Sequence, residues 1–65
     1  MERKYSLKEL RARHNYTQDD MAEKLGIARQ SYHRWEKYPQ NLKMSQLIQL
    51  AEVLQVEMWE IKLYR

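Results

Sequence analysis

Apolar residues recur at helical spacing along nearly the whole chain, and runs rich in Val, Ile and Thr are absent. This pattern predicts short helices rather than strands. The predicted helices cover residues 7–14, 18–25, 29–37, 44–54 and 57–62. We therefore expect an all-α fold, a compact five-helix domain formed by residues 1–65 as one unit.

Local signals mark the ends of the first two helices. Ser6 followed by Glu9, and Thr17 followed by Asp20, are capping-box pairs that open them. Gly26 ends the second helix, where a left-handed residue is favoured. Only the tripeptide GIA separates this helix from the third. Two short helices joined so sharply are typical of a helix-turn-helix.

The third predicted helix has two faces of different chemistry. On a helical wheel the outward arc carries long and mostly cationic side chains, namely Arg29, Gln30, His33, Arg34 and Lys37. The opposite arc carries Tyr32, Trp35, Ser31 and Glu36. Arginine can donate two hydrogen bonds to guanine, and glutamine can pair with adenine, so the outward arc suits the DNA major groove. A solvated helix face is the alternative interpretation.

The charge distribution agrees with an anionic partner. The chain has a formal net charge of +3, and residues 1–34 carry all of it, with eight Lys or Arg against five Asp or Glu. Residues 35–65 hold four of each sign. A basic first half favours nucleic acid as the partner.

The residue inventory argues against catalysis and metal binding. The chain has no cysteine, which excludes disulfides and thiolate metal sites. It contains no glycine-rich phosphate loop and no nucleophile motif. The adjacent Asp19 and Asp20 are better explained as stabilising the start of a helix than as a catalytic pair. We expect no enzymatic activity, no cofactor, no metal and no small-molecule substrate.

No segment of the sequence is suited to a membrane. No apolar run approaches the roughly 20 residues that cross a bilayer, and the N-terminus lacks a signal-peptide core. We expect a cytoplasmic protein with no membrane partner.

The segment LKELRARHNYTQDDMAEKLGIARQSYHRWEK resembles the Cro/CI-type helix-turn-helix family of phage repressors and related bacterial regulators. The matching positions are Leu10, Arg11, Thr17, Gln18, Met21, Ala22, Leu25, Gly26, Ile27, Arg29, Gln30, Ser31, Trp35 and Glu36. A later segment, LIQLAEVLQV, resembles the family's fourth helix. The resemblance covers residues 7–61 and implies a lambda-repressor-like domain of bacterial or phage origin, located on the nucleoid when bound.

The resemblance also implies roles for individual residues. Base contacts are expected from Arg29, Gln30 and Arg34. Contacts to the DNA backbone are expected from Gln18, Ser31, His33, Lys37, Tyr38, Asn41 and Lys43. Arg11 and Glu36 are expected to form a partly buried structural ion pair. For His33 and the loop of residues 38–43, simple exposure to solvent is the alternative.

The chain departs from the family pattern at several positions. Tyr32 stands where a small aliphatic residue is usual, so the third helix is expected to sit further from the core or to pack differently. Tyr38 replaces a common glycine, and Leu42 replaces a common proline. The loop of residues 38–43 is therefore expected to differ from that of its relatives.

The C-terminal segment carries more apolar residues than a core of this size needs. Met58 and Ile61 are expected to close the core, which leaves Trp59 without an assigned partner. Small domains often gain stability from a second subunit. We expect a homodimer interface formed by Met58, Trp59, Leu63 and Tyr64. The alternative is that Trp59 folds back over the rim of the core.

These observations together predict a sequence-specific regulator of transcription that binds double-stranded DNA. The protein is expected to be a repressor that binds a palindromic operator as a dimer, with residues 29–37 in the major groove and half-sites about 34 Å apart. Two alternatives stay open. One is an antitoxin or protein-interaction module on the same fold, and the other is a DNA-architectural accessory protein.

Overall fold

The computed structural model describes residues 3–64 and contains four α-helices within them. These are α1 (Leu7–Arg13), α2 (Gln18–Leu25), α3 (Arg29–Lys37) and α4 (Met44–Leu54). Two short 3₁₀ turns, Pro39–Asn41 and Met58–Glu60, follow α3 and α4. The prediction of an all-helical fold is confirmed for residues 3–64, but the predicted number of five helices is wrong.

The predicted fifth helix, over residues 57–62, is a single 3₁₀ turn that continues as extended chain. The backbone N–H of Tyr5 donates to the carbonyl of Glu60 at 2.8 Å, and the N–H of Lys62 donates to the carbonyl of Tyr5 at 2.8 Å. Tyr5 and Ile61 thereby form an isolated parallel bridge. Backbone groups that are paired across the molecule cannot also continue a helix, so the turn ends.

The capping boxes have the geometry that the sequence predicts. Ser6 Oγ accepts from the N–H of Glu9 at 3.1 Å, and Glu9 Oε1 accepts from the N–H of Ser6 at 2.9 Å. Thr17 and Asp20 repeat the arrangement at 3.0 and 2.8 Å. Gly26 follows α2 with φ at 70°, in the left-handed region that favours glycine. These contacts fix where α1 begins and where α2 begins and ends.

One hydrophobic core lies between the helices. Its members are Leu7, Leu10, Met21, Ala22, Leu25, Tyr32, Leu47, Leu50, Leu54 and Ile61. Tyr32 is fully buried, so α3 docks on the core through a residue that departs from the family pattern. Its ring fills the space and its hydroxyl finds a polar partner inside, which explains how a large side chain is accommodated. The different packing expected at Tyr32 is therefore a buried ring whose hydroxyl is hydrogen-bonded inside the protein.

The helices of residues 3–64 are too short for a membrane span. The longest, α4, has 11 residues, against about 20 needed to cross a bilayer. None of them is both long and apolar enough to do so.

Candidate nucleic-acid interface

The turn between α2 and α3 leaves one side of α3 uncovered. The N–H of Ile27 donates to the carbonyl of Ala22 at 3.0 Å, directly after the left-handed Gly26, and this reverses the chain. α3 then packs against α2 through its inner face. None of residues 3–64 covers its outer face, where Arg29, Gln30, His33, Arg34 and Lys37 are all exposed.

Long polar side chains line the uncovered side of α3. They surround an open cavity of about 540 Å³, which we call the α3 cleft; it is lined by Gln18, Arg29, Gln30, His33, Arg34, Lys37 and Tyr38. Five of these seven belong to the outward arc of the helical wheel, and all five are exposed. The ammonium group of Lys37 lies 5.6 Å from the centre of the Tyr38 ring. The cleft is therefore cationic, and its two glutamines can both donate and accept hydrogen bonds.

The remaining residues predicted to contact the DNA backbone lie beside the cleft. Asn41 and Lys43 line a second, smaller cavity of about 140 Å³, and Arg34 and Tyr38 line both cavities. Ser31 is half-buried on the flank of α3 and lines neither. Arg34 and Tyr38 thus connect the outward face of α3 to the loop that follows it.

On the inner side of α3, the carboxylate of Glu36 accepts four hydrogen bonds. Arg11 donates through Nε at 2.7 Å and through Nη2 at 3.3 Å. Tyr32 donates its hydroxyl at 2.6 Å, and Gln18 donates from Nε2 at 3.0 Å. Arg11 Nη1 also donates to the carbonyl of Tyr16 at 3.0 Å. The expected pairing of Arg11 with Glu36 is therefore the centre of a network that joins α1, α2 and α3.

The network shifts the protonation equilibria of its members. Burial alone would raise the pKa of Glu36, but the hydrogen bonds from Arg11, Tyr32 and Gln18 outweigh it and lower the pKa below its usual range. Burial and the hydrogen bond to Glu36 raise the pKa of the Tyr32 hydroxyl. The hydrogen bond to Glu36 raises the pKa of Arg11 further. At neutral pH the site therefore holds an ionised carboxylate and a neutral hydroxyl donor.

Gln18 contacts both this network and the α3 cleft. A carboxylate can only accept hydrogen bonds, so the nitrogen end of the Gln18 amide is the end that faces Glu36. The second N–H and Oε1 are left for another partner. No pattern along the sequence indicates this contact, because it joins the first residue of α2 to a residue near the end of α3.

A second contact that the sequence did not reveal joins Asp19 to Arg29. Arg29 Nε lies 3.3 Å from Asp19 Oδ1, and both side chains are largely exposed. Within residues 3–64, no carboxylate lies within 4.0 Å of the charged groups of Arg34 or Lys37. Arg29 is thus the one arginine of the cleft that has an acidic partner among the described residues.

The C-terminal segment exposes the four side chains predicted to form a dimer interface. Met58, Trp59, Leu63 and Tyr64 are 41%, 46%, 38% and 58% exposed, respectively. Met58 is not among the core residues, so it does not close the core as expected. Ile61 alone does so, at 1% exposed.

The described residues offer no metal site of the usual composition. Within residues 3–64, no group of three or more His, Asp or Glu side chains lies close enough together to hold a metal ion.

Comparison with known proteins adds independent findings. A helix-turn-helix family model matches residues 7–59. An uncharacterized HTH-type transcriptional regulator of Methanocaldococcus jannaschii is 40% identical over 63 residues, which cover 94% of this chain and 92% of the relative. No solved structure matches the chain.

Proposed function

The chain belongs to the Cro/CI-type helix-turn-helix family, and from this premise we propose that it is a DNA-binding transcriptional regulator. It reads a specific sequence in double-stranded DNA with α3 in the major groove. It acts as a repressor, occupying a palindromic operator as a homodimer and excluding polymerase. This is a binding function without catalysis, and the family is not a class of enzymes.

The outward face of α3 is the observation that carries the proposal. An α-helix with its side chains is about 10–12 Å across, and the major groove is about 12 Å wide. The exposed residues of this face are cationic or carry an amide, and they converge on one cleft. Cationic side chains release counterions from phosphates, and arginine and amide groups distinguish base edges.

Some residues of the cleft contribute affinity for DNA of any sequence, and others discriminate between base pairs. Arg29, Gln30 and Arg34 read base edges, because they lie on the outward face and can each form two hydrogen bonds with one base. His33 and Lys37 contact phosphates on the same face. Base contacts of this kind each contribute about 1–3 kcal/mol of discrimination.

The residues around the cleft position the helix on the DNA backbone. Gln18 donates its second amide N–H to a phosphate while Glu36 holds the first. Tyr38, Asn41 and Lys43 contact phosphates beyond the carboxyl end of α3, and Ser31 does so from its flank. Contacts of this type fix register and carry no sequence information directly.

A dimer forms through the exposed apolar residues of the C-terminal segment. Met58, Trp59, Leu63 and Tyr64 occupy a stretch of seven residues, and burying them against a second copy removes apolar surface from water. Trp and Tyr are common anchors of protein interfaces. A two-fold dimer places two α3 helices one DNA turn apart, about 34 Å, which explains why a palindrome is expected.

Selection of bound duplexes from a randomised DNA pool tests the function. The salt concentration should be about 150 mM, so that purely electrostatic binding is suppressed. The proposal expects an enriched palindrome with fixed half-site spacing. Binding seen only at low salt, with no enriched sequence, would contradict it.

Sedimentation of two single variants tests the dimer. Trp59→Ser should shift the protein towards monomer, because the largest anchor of the interface is lost. Ile48→Ser is the matched control, since Ile48 is also 46% exposed but lies on α4 outside the proposed interface. Equal effects of the two variants, or a monomeric wild-type protein, would contradict the proposed dimer.

A further inference from the structure

We propose that Asp19 is a positioning residue that prepares Arg29 to read guanine and, at the same time, lowers binding to unrelated DNA. The inference rests on the proposed function and concerns how one of its base-reading residues is held. It assigns a role to an acidic residue at the edge of a cationic cleft.

The helix-turn-helix geometry places the two residues together. Asp19 is the second residue of α2, and Arg29 is the first residue of α3. The turn between the helices brings Asp19 Oδ1 to 3.3 Å from Arg29 Nε. The pair is therefore a product of the motif, although ten positions separate the two residues in sequence.

The closest contact of Asp19 is with one edge of the Arg29 guanidinium group. Arginine has five N–H donors in a rigid planar fork, on Nε and on two terminal nitrogens. The closest atom of Asp19 lies beside Nε, and within residues 3–64 neither terminal nitrogen of Arg29 donates a hydrogen bond. Guanine presents O6 and N7 as adjacent acceptors in the major groove, and a pair of parallel donors matches them. A side chain that is already oriented loses less conformational freedom when it binds.

The charge of Asp19 has a second consequence. A carboxylate at the edge of a DNA-binding cleft repels phosphates of every sequence, and so it weakens non-specific binding. Arg34 and Lys37 have no such neighbour within 4.0 Å among residues 3–64. Because this repulsion acts on every duplex alike, it lowers binding to unrelated DNA without changing the ratio of specific to non-specific affinity, and the orientation of Arg29 is what raises that ratio.

Asp19 also lies in the first turn of α2, where an acidic residue stabilises the helix dipole. That role and the positioning role predict different results. Loss of a helix-terminal charge changes the stability of the fold and does not change which base is preferred. The experiment must therefore measure base preference, and thermal unfolding is recorded only as a check on folding.

The experiment uses two duplexes and four proteins. Arg29→Ala first identifies the base pair at which this variant loses preference, and a second duplex is made with that base pair replaced. Asp19→Asn and the wild type are then titrated against both duplexes at about 150 mM salt. Glu23→Gln is the matched control, because it removes an exposed negative charge from the same helix at a residue that has no ion-pair partner within 4.0 Å among residues 3–64.

The proposal expects opposite changes in Asp19→Asn. Affinity for the replaced duplex should rise, while the ratio of the two affinities should fall by about fivefold or more. Glu23→Gln should raise both affinities by the same factor and leave the ratio unchanged. An unchanged ratio in Asp19→Asn would overturn the inference, because Asp19 would then act through charge alone.

Failure of the inference and failure of the proposed function give different results. If Arg29→Ala keeps the base preference of the wild type at every position, the inference is also overturned, because Arg29 then reads no base that Asp19 could help it to read. Other residues could still read the operator in that case. Only a wild-type protein without any preferred duplex would overturn the proposed function itself.

Discussion

The two faces of α3 both carry polar side chains, but the inner face buries them in a hydrogen-bonded network, whereas the outer face has a single exposed ion pair, Arg29 with Asp19, among residues 3–64. On the inner face Glu36 accepts from Arg11, Tyr32 and Gln18, and its side chain is only 10% exposed. No buried side-chain nitrogen or oxygen in residues 3–64 lacks a partner. On the outer face the cations project into an open cleft. Paired polar groups hold a fold together, and the others are available to a ligand.

The difference leads to an expectation for mutations on each side. Changes on the inner face should alter the free energy of unfolding, and changes on the outer face should alter binding to DNA.

The largest effect is expected from Glu36→Ala. The substitution leaves Arg11 charged, largely buried and without its carboxylate, and it leaves the Tyr32 hydroxyl without an acceptor. Removing one partner of a buried pair costs about 3–5 kcal/mol. Urea denaturation should show a loss of this size. Glu23→Ala, at an exposed position of α2, should change stability by no more than about 0.5 kcal/mol; similar losses in both variants would contradict the role of the network.

On the outer face, Arg34→Ala should leave stability within about 0.5 kcal/mol of the wild type. It should reduce discrimination at one base pair by about 1–3 kcal/mol, since a base contact is lost. Gln18→Ala should instead weaken binding to all duplexes alike, because phosphates carry no sequence. Fluorescence anisotropy with matched duplexes measures both. If the two variants lose affinity equally on every duplex, the assignment of their roles is wrong.

Tyr32→Phe should have a smaller effect on stability. The ring stays in the core and only the hydroxyl is lost, so Glu36 keeps its contacts with Arg11 and Gln18. Loss of one hydrogen bond to a charged group costs about 1.5–3 kcal/mol, and the contacts that remain should keep the loss near the lower limit. The same denaturation experiment checks this value. A loss as large as that of Glu36→Ala would mean that the hydroxyl, not the carboxylate, organises the network.

The smallest change in stability is expected when the pH is lowered moderately. The pKa of Glu36 is lower in the folded chain than its usual value of 4.5, so the stability it contributes is fully present above pH 4.5 and is lost as the pH falls through the folded pKa. The contribution of Glu36 to the melting temperature should therefore change little between pH 7 and pH 5. Below pH 5 the melting temperature should decrease. Glu36→Gln should flatten the acid side of the profile. An unchanged slope in this variant would assign acid unfolding to other groups.

Repeating local patterns made four of the helices predictable. Capping boxes, the glycine after α2 and the helical spacing of apolar residues are all short-range signals, and the structure follows them closely. The helical wheel of residues 29–37 likewise separated the buried Tyr32 from the exposed cations. These features depend on residues that are close together in the sequence.

The features that were missed depend on contacts between distant residues. Met58 and Ile61 have the spacing of apolar residues on one face of a helix. The backbone pairing of Glu60 and Lys62 with Tyr5 nevertheless ends the turn after three residues. The contacts of Gln18 with Glu36 and of Asp19 with Arg29 likewise join different helices. A pattern within one helix cannot reveal which side chain of another helix will approach it.

The central claim is that the outer face of α3 binds DNA while the inner face holds the fold. Titration of the ¹⁵N-labelled protein with its selected duplex, followed by amide chemical shifts, tests it without any mutation. The largest shifts should fall on residues 29–34 and on Gln18, with smaller changes in the C-terminal segment of residues 58–64. If the largest shifts fall in residues 58–64 and the amides of α3 do not shift, the outer face of α3 is not the DNA-binding surface.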